Sequence, residues 1–424
     1  MEIHVNGLWR LRRLSLVPFA AAFLIVIVAG CGGSGSGDST GESSPSAESS
    51  SPSAESSEPF TVVELAPLSG ELQPLGEVEV TGAEAAAEDI NSRGGILGRE
   101  VNIKPEDSAG MASQAVSIVQ SMISSGEKPD LVLPGAISSE TVPILPLLNS
   151  ANIWSLGWAS SPLANDPESF PNYFGVSATG TEYARSLVSY LEGKEITRVA
   201  VVYPNNELGK TSLEAFEEIA EEAGIDVTAE LVDPEALDVT PAMIKLRDSN
   251  PQALIAGGVI GPVAGVILKT RTKLGWQVPT IGDGAFCANN FGELVAPKDL
   301  DGVVCQVSDF EVEGNPRQQV PAFKDFLKGV LKRDKSPAFA LQSYAIVWSA
   351  LALAEAGAEK AKSTDVEDVT AAIESMKASE VPLWFATKKL NFSPTNHYPD
   401  YSENLIFVPA GPRKDGALSP GPAQ

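Results

Sequence analysis

Two adjacent hydroxyls, Ser138 and Ser139, follow the extended run 130–134 and precede an apolar stretch of helical period. Hydroxyls and the unpaired N–H groups of a helix start converge at such a place, which suits a carboxylate. The same serines would serve equally as helix caps, so both roles stand. Other chemistries find less support. Residues 208–211 read Leu-Gly-Lys-Thr, the end of a phosphate loop, but that motif needs Gly five residues before its Gly-Lys pair and position 204 is Pro. Beyond the N-terminal segment His397 is the one histidine, in a loop rich in Pro, Asn and Tyr, which excludes a His-rich zinc site and gives a serine triad little to work with. No Gly-x-Ser-x-Gly elbow occurs, and no pair of carboxylates stands out in so acidic a chain. An enzyme is therefore not expected, nor is a cofactor or a metal.

The N-terminus reads as an export address. Arg10, Arg12 and Arg13 precede an apolar run over 14–28 and then Val28-Ala29-Gly30-Cys31, which resembles the lipobox of bacterial lipoproteins and implies lipidation of Cys31. An uncleaved membrane helix is the alternative, but 14–30 is at the lower limit of length for a span. Residues 32–58 carry no large apolar side chain ahead of the body, and Ser-Pro-Ser-Ala-Glu-Ser-Ser occurs there twice in tandem. Such a segment cannot bury enough surface to offset its ordering entropy, so it reads as a disordered tether with an end-to-end distance of roughly 30 Å. The expected location is the outer face of a bacterial plasma membrane. In that oxidising compartment Cys287 and Cys305, the only cysteines of the body, are expected to form a disulfide, with two buried free thiols as the other reading.

Roughly 365 residues follow the tether, more than one ordinary core takes, and they suit two domains. The formal charge of −25, with a leader whose three arginines oppose one glutamate, excludes a nucleic-acid partner. Short β-branched runs at 60–65, 101–104, 130–134, 153–156, 199–203, 227–232, 253–256 and 303–307 read as strands. Segments of helical period at 76–92, 112–124, 182–191, 211–223, 241–248 and 262–274 lie between them. Thr240 before Pro241 reads as an N-cap, Gly94-Gly95 as a helix stop, and Thr179 with Glu182 as a capping box. Two helical stretches, 338–361 and 366–378, precede extended runs at 390–392 and 405–408. Strand–helix alternation on this scale predicts an α/β fold of parallel sheets covered by helices.

Residues 82–99 read Gly-Ala-Glu-Ala-Ala-Ala-Glu-Asp-Ile-Asn-Ser-Arg-Gly-Gly-Ile-Leu-Gly-Arg. Ala-Pro-Leu-Ser-Gly at 66–70 precedes them, and Glu-Asp-Ser-Ala-Gly at 106–110, Gly-Ala-Ile-Ser-Ser-Glu-Thr at 135–141 and Ser-Leu-Gly-Trp-Ala-Ser-Ser-Pro at 155–162 follow. This series resembles the Leu/Ile/Val-binding family of ABC solute receptors, of type I periplasmic-binding-protein fold, over nearly all of 59–411. The resemblance implies two doubly wound lobes joined by three crossovers, with a ligand cleft between them and ABC permease subunits as partners of a monomeric receptor. By that analogy 59–178 with 310–378 form one lobe, 179–309 with 379–412 the other, and 413–424 a tail. A sensing module controlling a signalling partner is the alternative function.

The resemblance also implies a site. Ser138 and Ser139 fall where the family holds a ligand carboxylate; Ala159 and Ser160 fall where it places a carbonyl for the ligand amine and a hydroxyl for the carboxylate. Leu75, in the loop after the first strand, takes the place of an aromatic lining residue. The second lobe departs from the pattern: Gly180 stands for the family's acidic residue, and Val259 and Ile260 for its aromatic. Asp283 is then the best remaining anion for an ammonium, a turn role being the other reading. Trp158 is either a stacking surface for an aromatic or cationic ligand or interface packing. The expected ligand is an amino acid or related small carboxylate with a body larger or more aromatic than leucine.

Overall fold

The structure is a computed structural model that describes residues 58–70, 72–337 and 339–421; Cys31 and the tether up to 57 lie outside the described residues. Element order is β1 (Phe60–Ala66), α1 (Gln73–Ser92), β2 (Val101–Asp107), α2 (Ala112–Ser125), β3 (Leu131–Leu133), α3 (Ser138–Ser150), β4 (Ser155–Gly157), β5 (Tyr173–Gly175), α4 (Gly180–Gly193), β6 (Arg198–Pro204), α5 (Glu207–Glu222), β7 (Asp226–Val232) and α6 (Thr240–Asp248). It continues with β8 (Ala253–Ala256), α7 (Pro262–Lys273), β9 (Thr280–Gly282), α8 (Gly284–Cys287), α9 (Phe291–Leu294), β10 (Val303–Ser308), α10 (Pro321–Arg333), α11 (Leu341–Ala361), α12 (Val366–Glu374), β11 (Leu405–Pro409), β12 (Arg413–Lys414) and β13 (Ala417–Leu418). Among the described residues one sheet has the order β2-β1-β3-β4-β5 and a second the order β11-β10-β9-β8-β6-β7. All pairings in both are parallel except β10 with β11. The fold is thus α/β, in two lobes built on parallel sheets.

The chain enters the second sheet after β5, leaves it after β10, and returns with β11. In the interval α10, α11 and α12 pack on α1 and complete the first core, where Trp348, Phe326 and Leu351 are fully buried. Residues 381–401, assigned above to the second lobe, contribute Val381, Leu383, Trp384, Phe385, Phe392 and Tyr401 to this same first core. Only the strand that follows joins the second sheet. The tail is also ordered in part: β12 and β13 form a hairpin, and the Arg413 guanidinium is buried against Glu311 and the Cys287 carbonyl.

The 82–99 motif explains itself as scaffold. Gly82 lets α1 touch α11, since a Cβ there would lie 2.6 Å from the Tyr344 carbonyl oxygen. Asn91 bonds both the N–H and the C=O of Val101 at the start of β2. Gly95, at φ +77°, turns the chain out of α1 in a conformation that other residues resist. Arg99 then makes a two-pronged pair with Asp130 at 2.6 and 2.7 Å, tying β2 to the strand beyond β1.

Several expectations shift. Helix α1 starts at Gln73, three residues early, because Pro74 suits a first turn. Thr240 is inside α6 and Val239 is its N-cap, while Asp238 accepts the Thr240 N–H. Residues 390–392 form no strand. Strands β5 and β9 went unread because three residues give no periodicity. Helix α10 went unread although Ala322, Phe323, Phe326 and Val330 trace a buried stripe at helical spacing. The Thr179–Glu182 capping box is present with both reciprocal bonds.

Cys287 of α8 and Cys305 of β10 are joined by a disulfide, with Cα atoms 5.6 Å apart. Closing an 18-residue separation contributes about 3 kcal/mol in the chain-entropy picture. Thiol titration of the denatured, unreduced protein is expected to find neither of these two cysteines reactive. Reduction is expected to lower the free energy of unfolding by about that amount in urea melts.

Candidate functional site

A cavity of about 400 Å³ lies between the lobes, at the carboxyl ends of both parallel sheets, where open α/β folds bind ligands. Parallel order makes this location follow from the connections: every β–α turn emerges on the same edge. Helices α3, α4, α5 and α11 all begin at the cavity wall, represented there by Ser138 and Ser139, Gly180, Asn206, and Gln342 and Ser343. Each start carries N–H groups with no intrahelical partner and the positive end of the helix dipole.

Of the residues singled out by sequence, Leu75, Ser138, Ser139, Trp158, Ser160 and Asp283 line this cavity. Leu75 does so from the first turn of α1, not from a loop. The Ser138 hydroxyl accepts the Ser161 N–H at 3.1 Å and so pins the 158–161 loop to α3. The hydroxyls of Ser139 and Ser160 make no bond with any described residue. Trp158 is 8% exposed and belongs to the first core as well as to the wall, so packing and ligand contact are both open to it.

Two residues are placed elsewhere. Ala159 is fully buried and its carbonyl accepts the Tyr398 hydroxyl at 2.6 Å, so the bond reserved for a ligand amine is already made within the protein. Val259 turns into the second core while its carbonyl accepts from Asn289, and Ile260 takes the place at the wall. Asp283 fulfils the turn role: its two oxygens accept the N–H groups of Phe286 and Gly258, at 2.9 and 2.8 Å, and Tyr203 donates a further bond. Burial pushes its carboxyl up to about 6, against the pull of those donors.

Sequence reasoning missed the second-lobe wall. Leu187, Phe216, Tyr183 and Tyr203 form an apolar surface there, with Gln306 and Glu311 from the strand and turn that return to the first lobe. Tyr203 was legible, since it ends a β-branched run where the chain must turn at the cleft. Leu187 and Phe216 were not, because an apolar helix stripe looks the same whether it faces a core or a ligand.

Behind the start of α3 lies an unusual group of acids. Glu64 of β1, Glu79 of α1 and Glu140 of α3 are each at most 1% exposed, and their carboxylate oxygens make no hydrogen bond within usual limits. Burial, then the charge of Glu84, pushes Glu64 up to about 8. Burial, with Glu64 and Glu140 adding to it, raises Glu79 far above the carboxylate range despite the Ala136 N–H nearby. Burial brings Glu140 to about 7, opposed by the Ser108 hydroxyl and reinforced by Asp107.

Two parallel-sheet lobes around a cleft, with helix starts turned inward and no metal-binding cluster among the described residues, define a solute-binding protein of type I periplasmic topology. The chain belongs to the periplasmic binding protein family, whose model matches residues 59–402. It is 25% identical to Leu/Ile/Val-binding protein homolog 3 of Brucella melitensis, over 79% of this chain and 87% of that one. It is 24% identical to the Leu/Ile/Val-binding protein of Escherichia coli K12, over 68% and 77%. Similar solved structures include a type 1 periplasmic binding protein from Bordetella pertussis Tohama I, with TM-score 0.71, 20% identity, and 85% and 100% coverage. Another is the isoleucine complex of a branched-chain amino acid transporter substrate binding protein from Streptococcus pneumoniae, with TM-score 0.64, 16% identity, and 85% and 97% coverage. The relatives are solute-binding proteins, and this chain is one too rather than an enzyme.

The buried acids make stability fall with rising pH. Their folded pKa values exceed the unfolded value of 4.5, so the folded state binds more protons between pH 4.5 and about 8, and each pH increase in that window costs stability. Buried His397, whose pKa burial lowers, works the other way below its usual 6.5, so a difference measurement isolates the acids. Urea melts of Glu79→Gln against wild type are expected to show the variant gaining steadily from pH 5 to pH 8.

Proposed function

We propose that this protein captures a small organic carboxylate, an amino acid or a related acid with a bulky or aromatic body, and delivers it to the permease of an ABC uptake system. The observation that carries this reading is the polarity of the cleft. One side offers the open hydroxyls of Ser139 and Ser160 beside the N-terminus of α3, and the other offers Leu187, Phe216, Ile260, Tyr183 and Tyr203. No Lys, Arg or His lines the cavity. Donors of this kind hold an anion with little rearrangement, because they are fixed before it arrives. The ligand bridges the two walls and thereby favours closure of one lobe on the other, the usual response of hinged two-lobed receptors.

In this reading Cys31 is lipidated, and the Ser/Pro/Glu segment behind it holds the lobes clear of the outer face of the plasma membrane. The names of the relatives support an amino acid or something near it. The apolar second wall and Trp158 support a body larger than leucine.

Three measurements bear on this. Ser160→Ala should weaken carboxylate binding by roughly 1–3 kcal/mol in calorimetry, through the lost donor. Trp158→Ala should cost aromatic ligands more than aliphatic ones; tight leucine binding with aromatic acids inert would refute the aromatic part and leave the carboxylate part intact. Cys31→Ser should abolish incorporation of labelled fatty acid, and undiminished labelling would rule out the anchor.

A further inference from the structure

An α-amino acid brings two charges that sit a bond apart, so whatever holds its carboxylate must have acceptors for an ammonium close at hand. The donors for a carboxylate are at Ser139 and Ser160, and the acceptors nearest to them in the chain are the carbonyls of 158–160. All three are engaged. The Trp158 carbonyl accepts the Ser177 hydroxyl at 3.2 Å, that of Ala159 the Tyr398 hydroxyl at 2.6 Å, and that of Ser160 the Gly180 N–H at 2.8 Å. The carbonyls before α3 are engaged likewise: Gly135 by the Thr141 hydroxyl at 3.0 Å, and Ile137 by the N–H groups of Glu140 and Thr141.

The charged side chains of the wall offer no more. Only Asp283 and Glu311 carry charge there. Asp283 accepts from Phe286, Gly258 and Tyr203. Glu311 accepts the Ser308 N–H at 3.1 Å and pairs with buried Arg413 at 3.4 Å. Both belong to the second lobe and the return from it, across the cavity from Ser139.

From these engaged acceptors beside open donors, we infer that the cleft selects carboxylates bearing no ammonium group next to the carboxylate: apolar aryl or branched-alkyl acids, not zwitterionic amino acids. This rests on the carboxylate reading above and narrows it. An ammonium brought into the site must lose water without gaining a full set of partners, whereas a CH₂ in its place meets a wall of Trp158, Leu75 and Ile346.

The test is calorimetry of matched pairs with the detergent-solubilised full-length protein: phenylalanine against 3-phenylpropionate, and leucine against 4-methylpentanoate. Each pair shares a skeleton and a carboxylate and differs in the amino group alone. The amino-free member is expected to bind tighter by about a hundredfold or more. Equal or tighter binding of the amino acids would overturn this inference and leave the carboxylate reading standing. Failure of all four compounds to bind, in a preparation that melts cooperatively, would remove both. Ser160→Ala separates them further: it should weaken both members of a pair by the same factor and leave their ratio unchanged, and a changed ratio would mean that the amino group is held at that loop after all.

Discussion

Parallel strand order is the constraint from which the rest of this molecule follows. In a parallel sheet every strand must hand over to its crossover at the same edge, so every crossover helix begins there with its first N–H groups unpaired. Two such sheets facing each other by those edges concentrate helix starts in one cleft, and α3, α4, α5 and α11 all contribute. The field this creates needs no lysine or arginine. A cationic side chain in the wall would have to be desolvated whenever the cleft closes, while helix N–H groups are part of the backbone and are already in place.

Most of what was easiest to read in the sequence turns out to hold the scaffold. The 82–99 motif is distinctive because close approaches and turns tolerate few residue types: Gly82 against Tyr344, Gly95 at positive φ, Arg99 paired to Asp130. The first-lobe loops were legible for a related reason, since hydroxyls that end a strand and open a helix have few other uses. The physics that makes these positions readable is local and specific.

The unread parts share the opposite property. Strands β5 and β9 are three residues long, and the positions of 381–401 are set by aromatic packing against α10 and α11 across long sequence separations. Phe385 meets Phe310, Phe323 and Phe326, none of them near it in the chain. The same distance defeated the reading of Ala159. Its place in the loop was legible, but the hydroxyl that occupies its carbonyl comes from Tyr398, 239 residues away. Specificity here depends on which acceptors are already spent, and no local pattern records that.

The acids behind α3 fit the same economy of charge. A full charge about 8 Å from a bound anion, at an effective dielectric of about 20, opposes it by roughly 2 kcal/mol, and three such charges would outweigh the favourable end of a helix dipole. Glu64, Glu79 and Glu140 avoid this because burial raises the pKa of each. Desolvation costs the fold stability at neutral pH, yet it keeps carboxyl groups beneath the helix start largely protonated and leaves the field of α3 directed at the cleft. The uncharged state of these acids is thus a condition for anion binding by backbone and hydroxyl donors alone.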